Sequence, residues 1–500
     1  MGLRNFHGIE LEDFACCVAR TALWIAEKQA DADTAKVTQR VYQELPLTDY
    51  EGIVNANALR IDWNDVVPAS EVDYIIGNPP FIGYSNLNNE QKADRSELFG
   101  RSGGPLDYVA CWYKKAADYT RGSHTRCAFV ATSSICQGQQ VEPLWKPLFT
   151  DQMQIDFARQ PFVWNSQASD EAHVHVIVVG FSREGMLPKR LYDKAGQVRE
   201  PSHINGYLAP APDAFVVKRV SPICPVLPMV RGCQPTDNGN LLLAQEELDN
   251  LLEKEPDASK YIRPFSMGAE YISGTARYCI WLNDVDPSVL TKFPLVKNRV
   301  QRVREFRLAS AKAATRRKAE TPWLFDEIRP PRRSSYIAFP AVSSGRRKYV
   351  PIGFVTNGMI PGNKIYYIDG GGLYEFGVLT SLTHNVWMRT VCGRLRNDFN
   401  YSNTIVYNNF VWPEPSDGQR EHIESRAQAV LDARAAHPDA SLAEMYNPDN
   451  DFLFPDLMKA HAELDAAVEA AYGVDFNGDE EKIVAHLFKL YAEKTREEGQ

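Results

Sequence analysis

The strongest constraint in this chain is a strand that is forced to stop. Tyr74-Ile75-Ile76 is a short apolar run that meets Gly77-Asn78-Pro79-Pro80-Phe81. Proline lacks the N–H a ladder needs, fixes its own φ and pushes the preceding residue into an extended conformation. The strand therefore ends there, and the segment after it is stiff. In open α/β sheets, ligands bind at the carboxyl ends of the strands. Asn78 offers a carbonyl that can accept from an amino group, and Phe81 offers a flat face. The pair suits the exocyclic NH2 and ring of a nucleobase.

The surrounding sequence supports an α/β reading. Residues 1 to about 185 alternate strand and helix patterns. Phe6 to Ile9 reads as a strand, and Asp13 to Lys28 as a helix with Phe14, Cys17, Val18, Ala22 and Ile25 on its apolar face. Further strands are expected at Gly52–Val54, Asn57–Ile61, Val72–Ile76, Arg126–Thr132, Gln152–Phe157 and Val174–Phe181, with a helix over Asp107–Tyr119. Such alternation predicts a parallel sheet with right-handed crossovers. Residues 186–260 hold five prolines between Pro201 and Pro225 and read as a connection. Residues 261–416 are aromatic, basic and punctuated by Gly and Pro, and read as a second, mixed α/β module. Residues 417–500 read as helical, with helices over Ala427–Ala436, Pro455–Tyr472 and Glu480–Lys494.

Charge is unevenly spread. The net charge is −9, yet between Lys297 and Lys348 there are 15 Lys and Arg against 4 Asp and Glu. That asymmetry points to one face built for a polyanion rather than a uniformly basic binder. The basic run from Lys297 to Lys318 reads as a helix. The nine cysteines show no zinc-type spacing, so no metal site is expected. No apolar run reaches the ~18–20 residues of a membrane span, and the N-terminus lacks a signal-peptide core, so a cytoplasmic protein without a membrane partner is expected.

Two acidic residues lie at expected strand ends. Glu10 precedes a helix: it could take ribose hydroxyls or simply favour the helix N-terminus. Asp62 could hold an adenine amino group or cap the next turn. The residues alone leave both choices open.

Asn78-Pro79-Pro80-Phe81 resembles motif IV of the amino-methyltransferases, with the Asn typical of N6-adenine enzymes. Longer stretches resemble the MmeI-like type IIL restriction–modification enzymes: GIELEDFACCVARTALW, NALRIDW, PFVWNSQASDEAHVHVIVVGFS, YVPIGFVTNGMIP, VCGRLRNDFNYSNTIVYNNFVWPEP and PDLMKAHAELDAAVEAAYG. The resemblance covers nearly the whole chain. It implies a Rossmann-like class I methyltransferase domain over 1–185, a DNA target recognition domain over 261–416 and a C-terminal helical domain over 417–500. It implies S-adenosylmethionine as cofactor and double-stranded DNA as partner. The family's Gly-rich cofactor loop has no counterpart here, nor do its amino-terminal nuclease and helical domains. The expectation is therefore a methyltransferase domain incomplete at its N-terminus, with the front supplied by a longer protein or a separate chain.

The resemblance also implies roles. Asn78, Pro79, Pro80 and Phe81 are the catalytic motif; Glu10, Asp62 and Asn78 are cofactor candidates. Phe81 would stack on one face of a flipped adenine, and Phe162 or Trp164 would cover the other. Arg332, Arg333, Arg346, Arg347, Lys348, Arg394 and Arg396 are the DNA-contact candidates, because Arg and Lys suit phosphates and Arg suits guanine edges. Two other readings stay open: a recognition fragment that binds DNA without catalysis, and methylation of a protein side-chain amide, which Asn-Pro-Pro-aromatic motifs also serve.

Overall fold

A computed structural model describes residues 2–38, 52–164 and 174–498 of the chain. It divides into two compact units, residues 1–136 with 140–210, and residues 137–139 with 211–500.

In the first unit, β1 (Gly8–Glu10) leads into α1 (Asp13–Thr38) and then β2 (Ile53–Asn55). The two strands pair in parallel, Gly8 against Ile53 and Glu10 against Asn55. β3 (Tyr74–Gly77), α2 (Asn89–Phe99), α3 (Ala110–Tyr119), β4 (Arg126–Thr132), α4 (Val141–Thr150), β5 (Gln154–Trp164), β6 (Val174–Ser182), β7 (Arg190–Tyr192) and β8 (Val198–Arg199) follow. Six of these strands form one sheet in the order β3-β4-β6-β5-β7-β8.

The sheet is mixed, which departs from the all-parallel expectation. β3 and β4 are parallel, but β6 is antiparallel to both β4 and β5. The link from Trp164 to Val174 is too short for a crossover helix, and a short link makes successive strands pair antiparallel. The predicted Asn57–Ile61 strand is also absent: Ala58–Arg60 is a turn, closed by Leu59 N–H donating to Asn57 Oδ1 at 2.9 Å. Asn favours such side-chain turns over strands.

The core of this unit is aromatic. Tyr113 of α3 stacks on Phe181 of β6 with ring centroids 5.2 Å apart and meets Trp145 of α4 edge-on at 5.6 Å. These rings pin the helices to the sheet. By contrast β3 is an edge strand, with Tyr74 70% and Ile76 82% exposed. Phe14, Val18 and Ile25, the expected apolar face of α1, are exposed as well.

In the second unit, β9 (Met229–Arg231), β10 (Leu242–Ala244), α5 (Gln245–Lys254), β11 (Ile262–Ser266), α6 (Gly268–Ser273), β12 (Arg277–Ile280), α7 (Pro294–Leu308) and α8 (Ala313–Arg317) come first. β13 (Tyr336–Pro340), β14 (Val342–Ser343), β15 (Gly353–Val355), β16 (Ile360–Pro361), β17 (Ile365–Asp369), α9 (Leu373–Thr380), α10 (Leu382–Val391), β18 (Gly393–Leu395) and β19 (Asp398–Asn400) continue. Two four-stranded sheets result, β10-β12-β11-β16 and β15-β13-β17-β9, with the small sheet β14-β19-β18 beside them in sequence. Residues 186–260, read from sequence as a connection, contribute β7 and β8 to the first unit and β9, β10 and α5 to the second. The proline-rich part is the irregular stretch between Arg199 and Met229. The basic run is two helices, α7 and α8, not one.

The C-terminal helices α11 (Asp417–Ala435), α12 (Leu442–Met445), α13 (Pro455–Ala471) and α14 (Glu480–Glu498) complete this unit. α11 lies against α9 at Gly377. A Cβ there would fall 2.9 Å from Ile423 Cγ2 and 3.1 Å from Ala427 Cβ, so the close approach needs glycine.

Candidate active-site rim and nucleic-acid surface

The Asn-Pro-Pro-Phe turn sits where β3 leaves the sheet. Gly77 pairs with Phe129 of β4, whose ring would lie 3.2 Å from a Cβ at position 77. Asn78 follows at once and is exposed; Pro79 is buried and anchors the turn; Pro80 is exposed. Phe81 is 36% exposed, half-sunk but open on one side. Ile82 N–H donates to Pro80 O at 3.2 Å, which tightens the turn behind the ring.

The turn is held from behind by Asp107 and Tyr108, residues that by sequence pattern only begin a helix. Tyr84 N–H donates to Asp107 Oδ1 at 2.8 Å, and Tyr108 N–H donates to Ile82 O at 2.9 Å. Asp107 Oδ2 accepts from Ser134 Oγ, just beyond the end of β4, and Ser134 Oγ lies 2.8 Å from Thr132 Oγ1. Asp107 N–H donates to the Gln140 side chain at 3.0 Å. Tyr108 O–H in turn donates to buried Asp94 at 2.7 Å, and Arg60 Nε pairs with the other Asp94 oxygen at 2.8 Å. Burial works to raise the Asp94 pKa, but its bonds to Arg60 and Tyr108 prevail and hold the carboxyl below its usual range. Nothing in the local sequence marks Asp94 or Asp107: each reads as an ordinary helix-associated acid until the fold brings its partners together.

Glu10 and Asp62 both show capping behaviour. Glu10 Oε1 accepts from Leu11 N–H at 2.8 Å and Glu12 N–H at 3.2 Å. Asp62 Oδ1 accepts from Asn64 N–H at 2.9 Å and Nδ2 at 3.1 Å, bonds that lower its pKa. The second oxygen of each carboxylate, Glu10 Oε2 and Asp62 Oδ2, has no hydrogen-bond partner among the described residues. Phe162 lies on β5 opposite Val176, with the Arg159 guanidinium 4.2 Å from its ring centroid. Trp164 closes β5; its side chain lies outside the described residues.

The basic candidates of the second unit separate by what they already touch. Arg332 and Arg333 are exposed on a loop whose backbone N–H groups donate to the two Asp369 oxygens at 3.0 and 3.2 Å. Arg396 is exposed at the turn between β18 and β19, with a left-handed φ of 56°. Arg346 pairs with Asp449. Arg347 and Arg394 are partly buried, and desolvation lowers both pKa values. Arg394 lies 4.3 Å over the Phe399 ring and reaches Asn397 O at 3.4 Å. Lys348 Nζ lies 5.2 Å over the ring of Tyr349. Arg307, part of the basic run, is fully buried and donates to five backbone carbonyls: Pro235, Thr236, Lys318, Thr321 and Leu324.

Three family models match successive parts of the chain. Residues 1–193 match the MmeI DNA-methyltransferase domain, residues 210–414 the MmeI target recognition domain, and residues 415–497 the MmeI C-terminal domain. DNA methyltransferase A of Bacillus subtilis (strain 168) is 37% identical over 501 aligned residues, which cover 99% of this chain and 56% of that protein. The chain thus spans about half the length of that relative. The structure of the type IIL restriction–modification enzyme MmeI in complex with DNA is 39% identical and superposes with a TM-score of 0.91. It covers 99% of this chain and 67% of that one. No described helix is long and apolar enough to cross a membrane. With its α/β methyltransferase domain, target recognition domain and C-terminal helical domain in this order, the chain belongs to the MmeI family of type IIL restriction–modification enzymes.

Proposed function

We propose that this chain acts in sequence-specific DNA methylation within a restriction–modification system, taking the methyl group from S-adenosylmethionine and delivering it to N6 of an adenine flipped out of the duplex. The observation that carries the reading is the exposed Asn78 beside the half-open Phe81 at the end of β3, in a chain with a target recognition domain.

The chemistry follows from the residues. The N6 lone pair of adenine is delocalised into its ring and is a poor nucleophile. The Asn78 side-chain oxygen and the Pro79 carbonyl can accept the two N6 hydrogens. That draws the nitrogen toward a tetrahedral form and aims its lone pair, which is catalysis by orientation and electrostatics. A base inside a duplex is out of reach, so it must be extruded, and Phe81 supplies a stacking face for it. Phe162 or Trp164 would close over the opposite face.

When bound, S-adenosylmethionine would supply an electrophilic sulfonium methyl and leave as S-adenosylhomocysteine, and N6 would release one of its hydrogens as a proton to solvent. The residues present fit its adenosine part: Glu10 Oε2 and Asp62 Oδ2, with no partner among the described residues, are acceptors suited to ribose hydroxyls and an adenine amino group. Arg332, Arg333 and Arg396, exposed on loops, are suited to DNA. The cytoplasm, where chromosomal DNA is accessible, is the proposed location.

A nuclease and a Gly-rich loop for the donor's methionine part, carried by a longer protein or a separate chain, are the proposed partners of this chain. Tyr74 and Ile76, exposed on one face of β3, whose outer edge pairs with no described strand, and exposed Phe14, Val18 and Ile25 on α1, support that reading. Parallel strands are normally buried on both faces, and open apolar edges invite another strand. The same observation favours a second reading, a module that recognises DNA without transferring a methyl group.

The test is incubation with tritiated S-adenosylmethionine and bacterial duplex DNA, followed by nucleoside chromatography. Label on N6-methyl-2′-deoxyadenosine is the expected result. Label on cytosine would overturn the adenine assignment. Retained DNA binding with no label would select the second reading.

A further inference from the structure

We infer that Asp107 is a positioning residue for the Asn78–Phe81 turn, acting through a clamp on the segment immediately after it. The inference rests on the methyl-transfer reading of that turn. Asp107 is 7% exposed, and it has no ion-pair partner among the described residues. A buried carboxylate without a cation is costly unless its oxygens are hydrogen-bonded, and here each oxygen takes a separate element. Oδ1 takes Tyr84 N–H at 2.8 Å, three residues past Phe81. Oδ2 takes Ser134 Oγ, which follows β4. The backbone adds two more bonds: Asp107 N–H to Gln140 at 3.0 Å and Tyr108 N–H to Ile82 O at 2.9 Å.

The outcome is a bridge across the open end of the sheet. On one side stands the loop that leaves the Asn-Pro-Pro-Phe turn; on the other stands the rim of the neighbouring strand. Pro79 and Pro80 stiffen the turn from within, but neither proline can donate a hydrogen bond, and Phe81 N–H has none among the described backbone bonds. Between the end of β3 and Tyr84, the Asp107–Tyr108 pair supplies the bonds that tie the turn to the rest of the unit. Release of Tyr84 N–H frees the segment that carries Phe81. Misplacement by about 1 Å is enough to cost on the order of a hundredfold in rate when catalysis depends on orientation.

Three variants separate the roles. Asp107→Asn keeps an acceptor for Tyr84 N–H and a donor that Ser134 Oγ can accept. Asp107→Ala removes both arms, whereas Ser134→Ala removes only the β4 arm and leaves Asp107 Oδ2 without its donor. Two measurements are made on the whole chain: hydrogen exchange of the 81–87 peptide, and methyl transfer with kcat and KM separated. Asp107→Ala is expected to speed exchange in 81–87 and to lower kcat on the order of a hundredfold with little change in KM for DNA. Asp107→Asn should restore both, and Ser134→Ala should fall between. If Asp107→Ala folds as the parent does and leaves exchange in 81–87 unchanged, the clamp is wrong. The clamp is equally wrong if Asp107→Asn is as damaging as alanine, because a charge rather than a pair of hydrogen bonds would then be at work. If Asp107→Ala does not fold, the Asn and Ser134→Ala variants carry the test. If the parent chain transfers no methyl group while exchange responds as expected, the clamp stands as structure, and it is the methyl-transfer reading, with the positioning role that rests on it, that fails.

Discussion

Asp465 of α13 accepts the phenol hydrogen of Tyr349 at 2.7 Å across 116 positions of sequence. Its other oxygen accepts Leu382 N–H, the first residue of α10, at 2.7 Å. The same pocket stacks Tyr349 on His461 at 4.1 Å and links His461 Nε2 to Tyr446 O–H at 2.7 Å. Burial pushes the Asp465 carboxyl up to about 6, against the lowering effect of Leu382 N–H, Tyr349 and Lys348.

That raised pKa gives a pH dependence with a definite sign. The folded chain holds its Asp465 proton up to about pH 6, while the unfolded chain releases it near 4. The folded state binds more protons in that window, so stability attributable to this group falls as pH rises from about 4 to about 6. Asp465→Asn keeps the geometry and removes the titration. The melting temperature of the variant relative to the parent should therefore rise across that window and level off above it. A constant difference at all pH values would show that Asp465 is not protonated in the fold.

Asn78 is exposed and has no side-chain hydrogen bond among the described residues, so its removal should leave stability alone. Asn78→Ala is expected to lower methyl transfer by about 10²–10³-fold or more, the loss seen when one preorganised polar group of an active site is deleted. Thermal unfolding should change within about 0.5 kcal/mol. Transfer at near the parental rate would remove Asn78 from the mechanism.

Phe81→Ala removes the stacking face and should weaken the hold on an extruded base by about 1–3 kcal/mol. Fluorescence of 2-aminopurine placed at the methylated position reports unstacking. The variant is expected to give a smaller signal at equal DNA occupancy. An undiminished signal would assign the stacking to another ring.

The exposed basic loops should contribute phosphate contacts, and the half-buried arginines should not. The Arg332→Ala/Arg333→Ala double variant is expected to lower the slope of log K against log salt by about 2, near 0.9 per phosphate. Arg394→Ala, which loses its contact with Phe399, should lower stability and leave that slope unchanged. An unchanged slope in the double variant would place both residues off the DNA.

Arg307 makes the opposite point about charge. It donates to five carbonyls from inside the recognition unit and is fully buried. Arg307→Ala would leave these acceptors unpaired and should cost about 3 kcal/mol or more in chemical denaturation. Arg307→Lys should recover little, because one ammonium cannot reproduce a planar five-donor fork.

Local sequence carried the motif and most element types. Pro79 and Pro80 end β3 wherever the strand is placed, so the position of Asn78 and Phe81 at a sheet rim was legible from residues 74–81 alone. Helices α13 and α14 were legible from apolar spacing, because an amphipathic period is a local property. The antiparallel insertion of β6 was not, since strand order depends on which partner a nine-residue link can reach. The turn at Asn57 was missed because its side chain outcompeted a ladder hydrogen bond.

What the sequence determined by itself was the chemistry on offer: an amide and a ring after a stopped strand, and an excess of basic residues between Lys297 and Lys348. The tertiary structure decided which of those groups are available. It sank Arg307 into a cage of carbonyls, engaged Arg346 with Asp449, and left Arg332, Arg333 and Arg396 outward. It also brought Asp107 to Tyr84 and Ser134, partners 23 and 27 positions away. The physical reason is the same in each case. A polar side chain's role is set by the partners within hydrogen-bond reach, and those partners are chosen by how distant segments pack.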